Sequence, residues 1–159
     1  LANTKRLAHY SDPGQIRRLL DRLLALDCMV ERWHAKATFH GMSYDLRVVM
    51  QEGEPDYILA RLSHGPITNL HLNNHPLELA ALGLSEQTLS QIRDLCRAAM
   101  ACYPALTSAG LDILLEKGSL QPRIIEMNAQ GDLIYQDIFH ENHIYRHQAE
   151  IMKRWLKKE

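Results

Sequence analysis

The stretch GLDILLEKGSLQPRIIEMNAQGD, residues 110–132, constrains the fold more than any other part of the chain. Two strand-like runs, 110–115 and 123–128, flank a short polar turn around Lys117, Gly118 and Ser119, the signature of an antiparallel hairpin. Side chains on a strand point alternately to opposite faces, so Leu111, Ile113 and Leu115 share one face and Asp112 looks the other way. Glu126 and Asn128 are two apart and share a face on the partner strand. Should that face be the one bearing Asp112, two carboxylates and an amide oxygen converge, a hard-oxygen set suited to Mg²⁺ or Mn²⁺. The same alternation describes a hairpin whose Asp112 and Glu126 face solvent, and periodicity alone leaves both readings open.

Around this hairpin there is material for one core. The chain has 159 residues, 46% of them hydrophobic, which is enough for one ordinary core and too little for two, so residues 1–159 are expected to form a single domain. A net charge of −1 supplies no field to recruit nucleic acid or an anionic membrane surface. No apolar run is long enough to span a bilayer, and the opening LANTKRLAHYSD lacks the apolar centre of a signal peptide. Cys28, Cys96 and Cys102 are odd in number and lack metal-ligand spacing, as expected of reduced thiols in a cytoplasmic protein.

Helices are expected on either side of the strands. Ser11 reads as an N-cap with Pro13 in the first turn, and Ile16, Leu19, Leu20, Leu23 and Leu24 form the apolar stripe of a helix reaching about Leu26. Residues 84–103 read as a long helix capped by Ser85, with Leu89, Ile92, Cys96, Ala99 and Tyr103 on one stripe. Cys96 falls on that stripe as a small buried hydrophobe. From about Glu141 a terminal helix is expected to bury Ile144, Ile151 and Trp155, with its basic end complementing the helix dipole. The fold class is therefore α+β, an antiparallel sheet with helices packed on it.

Three further stretches bear on chemistry. Residues 27–33, DCMVERW, read as a short buried strand entering the polar segment HAKATFHGMS. Residues 44–51 and 56–63 read as an antiparallel pair joined by Glu52-Gly53-Glu54-Pro55, with Leu46, Val48 and Met50 on one face and Arg47 opposite. Arg47 and Arg61, on adjacent apolar strands, are costly to bury alone; they share an anion, pair with acids such as Asp45 and Asp56, or lie on an exposed face. The loop HGPITNLHLNNHP, residues 64–76, has no core pattern. Its His71 and His75 have a helical ligand spacing, but Asn73, Asn74 and Pro76 argue against a helix and so against zinc there.

GLDIL followed by IIEMNAQGD resembles the closing motif of the ATP-grasp ligases, best in the branch of glutathione synthetase and the ribosomal-protein glutamate ligases. DLRVVM resembles that family's D-x-R strand, and Thr68, Asn69, Leu70 and His71 match its TNLH loop, although Leu72, Asn73 and Asn74 stand where the family has Arg-Gly-Gly. The pieces follow the family's order over most of the chain. The resemblance implies that Asp112, Glu126 and Asn128 hold the metal ions bridging ATP phosphates. It makes Arg47 and Arg61 stabilisers of the transferred phosphoryl group and Asp45 a nucleotide-binding acid. Thr68 and Asn69 then cross the phosphate site. Glu31, Arg32 and Trp33 occupy the positions that meet the adenine ring, with Arg32 where the family has an acid. Gln136, Asp137, His140, Asn142 and His143 become candidates for acceptor specificity, or for capping and surface roles.

The family's first half supplies a glycine-rich phosphate loop and a phosphate-binding lysine that have no counterpart here, and the first residue is Leu rather than Met. The resemblance thus implies the C-terminal half of an ATP-grasp fold. The implied activity is ATP-dependent ligation of a small-molecule or peptide carboxylate to an amine or thiol through an acyl phosphate, with Mg²⁺ or Mn²⁺. The competing expectation is a nucleotide-binding or assembly module without turnover; self-association is left open.

Overall fold

The computed structural model describes residues 8–68, 75–129, 139, 141 and 143–157. It divides into two compact units, Leu1–Trp33 and His34–Glu159.

The first unit carries one helix, α1 (Pro13–Leu24). Its N-cap is Asp12 rather than Ser11, because the Asp12 carboxylate accepts the backbone N–H of Gln15 at 2.7 Å and Pro13 then occupies the first helical position. Ile16, Leu19, Leu20 and Leu23 form the half-buried stripe, while Leu24 is exposed. Residues 27–33 correct the expectation of a buried strand. They have no ladder partner among the described residues, and Met29, Val30 and Trp33 are exposed. Strand propensity without a neighbouring strand gives no β structure.

The second unit is an α+β layer. Its strands are β1 (Thr38–Phe39), β2 (Met42–Gln51), β3 (Glu54–Ser63), β4 (His75–Glu78), β5 (Ser108–Leu115) and β6 (Pro122–Asn128). They form one antiparallel sheet in the order β4-β3-β2-β5-β6, with β1 paired to β2. Two-residue turns, His40-Gly41 and Glu52-Gly53, connect β1 to β2 and β2 to β3. All four residues have positive φ, which matches hairpin twist and favours glycine at the second position. β4 was not expected within the polar loop. Its Pro76 lacks an N–H, which suits an edge strand.

One face of the sheet is apolar. Leu46, Val48 and Met50 of β2 pack with Ala60 and Leu62 of β3 and with Leu111, Ile113 and Leu115 of β5. Helix α2 (Glu86–Ala101) covers them with Ile92, Cys96 and Met100, capped by Ser85 as expected. Tyr103 lies beyond the helix end and is exposed, so the stripe stops a turn earlier than expected. Helix α3 (His143–Leu156) buries Ile144 against Val49, Tyr57 and Leu59 on the opposite face. Ile151 is also buried, but Trp155 is exposed, against expectation. Among the described residues no helix is long and apolar enough to cross a membrane.

Candidate functional site

The second face of the sheet places the chemistry. In an antiparallel pair, residues directly opposite project to the same side. Asp45 faces Arg61 across β2 and β3, Arg47 faces Asp112 across β2 and β5, and Asp112 faces Glu126 across β5 and β6. Asn128 faces Gly110, two residues from Asp112. All three expected metal ligands and both expected arginines are therefore on one face. Beyond the Asp112–Glu126 pair the register slips and leaves Ile125 without a partner, which ends simple alternation at this point.

The groups on β2, β3 and β5 are joined. Asp112 takes Arg47 on one oxygen at 2.5 Å and Arg61 on the other at 3.2 Å. Arg61 Nε donates to Asp45 Oδ1 at 2.8 Å. The second oxygen of Asp45 accepts from the Thr68 hydroxyl and from Lys36 Nζ, the latter at 3.2 Å. Lys36 Nζ also donates to Thr68 Oγ1 at 2.5 Å. Arg47 and Arg61 thus pair with acids, and neither lies bare on an exposed face. Burial would lower the pKa of Arg61, but hydrogen bonds and charge from Asp45, then Asp112, raise it and secure its cation.

A network this dry is poor economy for stability. Asp45 has 4% of its side chain exposed and Arg61 10%, and desolvating such ions cancels most of their mutual attraction. Among the described residues, Lys36, Asp45, Arg61, Asp112 and Arg47 form one chain of alternating charge. Glu126, exposed on the next strand, brings a third carboxylate within the same face. A surface of this composition can take a multiply charged anion together with a cation.

Gly110 is part of the construction. A Cβ there would lie 3.1 Å from Arg47 Cζ and 3.2 Å from its Nε, so the guanidinium crosses β5 through the space a side chain would fill. A larger residue there would have to shift the guanidinium by a few tenths of an ångström from its position over the strand.

No protein-family model matches the chain, and no curated protein matches it.

Glu31, Arg32 and Trp33 belong to the first unit and are exposed. Thr68 joins the network through Asp45. Asn69, Leu70, His71, Leu72, Asn73 and Asn74 lie outside the described residues, as do Gln136, Asp137, His140 and Asn142. Lys36 was missed. It sits in a polar stretch without motif, and long-range pairing of residues 35–37 with residues 115–117 places it beside the network. Cys96 is buried and its thiol is pushed up to about 12 by burial, so it is a core residue and no nucleophile at neutral pH.

Proposed function

We propose that this chain supplies part of the catalytic face of an ATP-grasp ligase, joining a carboxylate to an amine or thiol through an acyl phosphate. The observation that carries this reading is the register pairing Arg47 with Asp112 and Asp112 with Glu126, on the face that also bears Asp45 and Arg61. That juxtaposition supports the reading drawn from the hairpin and D-x-R motifs.

The donors suit Mg²⁺ or Mn²⁺. Asp112 already accepts from two arginines, but a carboxylate has about four lone-pair positions, so acceptor capacity remains. Glu126 is exposed and Asn128 half-buried, which leaves their oxygens accessible. When bound, the divalent ion neutralises phosphate charge and polarises the transferred group.

The chain's own residues then hold charge in place. Arg47 and Arg61 set two guanidinium groups beside the phosphoryl group, and Asp45 with Thr68 and Lys36 keeps Arg61 oriented. A carboxylate oxygen of the substrate attacks the γ-phosphorus, the bond to the bridging oxygen breaks, and ADP leaves. The amine or thiol next attacks the acyl carbon and loses its proton, while the C–O bond breaks and phosphate departs. No protein nucleophile is required.

The test is ADP release by the full-length protein with Mg²⁺, ATP and a panel of carboxylates and amines. Turnover that depends on the amine and disappears in Asp112→Ala and Glu126→Ala supports ligation. Nucleotide retained without ADP release would instead make the chain a binding or assembly module, and absence of nucleotide binding would remove both readings.

A further inference from the structure

A second group of chemistry-bearing side chains lies beyond the proposed nucleotide face, at the junction of β3 with the start of α3. Asp56, His143 and His147 each offer a ligand atom, and these atoms all lie within 4.8 Å of one another. His147 Nδ1 is 2.8 Å from Asp56 Oδ1, and His143 Nε2 is 3.6 Å from the same oxygen. We propose that this is a divalent transition-metal site, with Zn²⁺ as its ion and Asp56, His143 and His147 as its three protein ligands.

Three separate devices aim the donors. The two histidines are four apart on α3, a spacing that sets both rings on one helix face, and their centroids are 6.0 Å apart. Asp56 is the extra residue of a β-bulge: Val49 faces Tyr57 and Met50 faces Pro55, so Asp56 has no opposite number on β2. A bulge turns a side chain out of the regular alternation. Gln51 then fixes the carboxylate, its Nε2 donating to Asp56 Oδ2 at 2.8 Å and to the carbonyl of Ile144 at 3.1 Å. That leaves Oδ1 turned to the histidines, the arrangement in which an outer hydrogen bond orients a metal-binding carboxylate.

The donor set selects the ion. Two imidazoles and one carboxylate suit Zn²⁺ and its neighbours Co²⁺ and Ni²⁺, whereas Mg²⁺ prefers oxygen and water. At a Zn–N distance of about 2.0–2.1 Å, tetrahedral donors are roughly 3.3 Å apart, so closing on an ion needs only small side-chain movements. Asp56 and His143 both line a cleft of about 760 Å³, which gives the ion a route in and leaves a fourth coordination position for water. The same cleft is also lined by Glu78, Arg93 and Arg146.

The experiment uses the untagged full-length protein after treatment with chelator. Zn²⁺ is titrated calorimetrically, and Co²⁺ is followed by its visible absorption, which reports four-coordinate nitrogen and oxygen ligation. One Zn²⁺ per Asp56–His143–His147 group is expected, with affinity falling at least about 100-fold in His143→Ala and in His147→Ala, since even outer-sphere partners are worth about 10–100-fold. His75→Ala, a change in an exposed histidine of β4, leaves binding intact. His143 is itself exposed, so its alanine variant keeps the fold, checked by circular dichroism. No stoichiometric uptake by the wild type, or wild-type affinity retained in His143→Ala or in His147→Ala, overturns the site. The two proposals share no residue, so loss of ADP release in Asp112→Ala and loss of Zn²⁺ binding in His143→Ala are separate readouts.

Discussion

At the scale of single residues, two positions hold the charged face together. Asp45 has 4% of its side chain exposed and depends on Arg61 for its strongest pairing. Replacing Arg61 by Met removes a cation and leaves a desolvated carboxylate with Lys36 and Thr68 alone. The expected cost is about 3–5 kcal/mol, measured as the shift in urea unfolding. A loss below about 1 kcal/mol would mean that water reaches Asp45 freely. Gly110 behaves differently, because the atoms that a new Cβ would crowd belong to the end of the flexible Arg47 side chain. Gly110→Ala is therefore expected to move the urea midpoint little while displacing the guanidinium from Asp112. Under the proposed chemistry ADP release falls about tenfold or more, since small misplacements of a charge-stabilising group are costly.

At the scale of elements, the faces of the sheet are covered by different helices, and α3 attaches its first turn through one buried side chain. Ile144 is fully buried against Val49, Tyr57 and Leu59, and its carbonyl accepts from Gln51. Ile144→Ala is expected to cost about 2–4 kcal/mol, and hydrogen exchange should show α3 opening at lower free energy than β2 and β3. The β5–β6 connection carries a different signal. Glu116 accepts from Arg123 at 2.6 Å and bonds His34 at 2.9 Å. The Arg123 hydrogen bond leads the effects that hold its carboxyl below the ordinary glutamate range, against a smaller opposing effect of burial. A depressed folded-state pKa contributes stability that is fully present above the ordinary value, about 4.3, and is lost as pH falls through the folded value. Carbon-detected NMR titration of Glu116 should give a midpoint below that ordinary value, and Arg123→Leu should raise it.

At the scale of the molecule, the hydrophobic core belongs to the unit His34–Glu159, and α1 of the first unit has no buried residue. A chain starting at His34 is thus expected to unfold in one cooperative transition, checked by far-ultraviolet circular dichroism on heating. A broad, non-cooperative loss of signal would show that the sheet and α2 do not suffice. This division also bears on how sequence patterns translate. The periodicity of residues 44–51, 56–63 and 110–115 specified three strands with an apolar face to bury, and the polar turn brought 123–128 alongside although Ile124 and Ile125 stay exposed. Residues 27–33 also read as a strand and formed none, with no partner ladder among the described residues.

What the amino-acid order determined alone was local: the alternation that turns Asp112, Arg47 and Arg61 away from the core, the glycine turns, Ser85 as a cap and Cys96 within an apolar stripe. These depend on neighbours within a few residues, where backbone geometry is regular. Tertiary structure decided which strands adjoin, and so whether Arg47 meets Asp112 or solvent. It also drew in Lys36, and it brought Asp56 to His143 and His147 through a bulge and a helix nearly ninety residues further on. Contacts of that kind follow from register and packing, which are properties of the assembled sheet and are encoded at no single place along the chain.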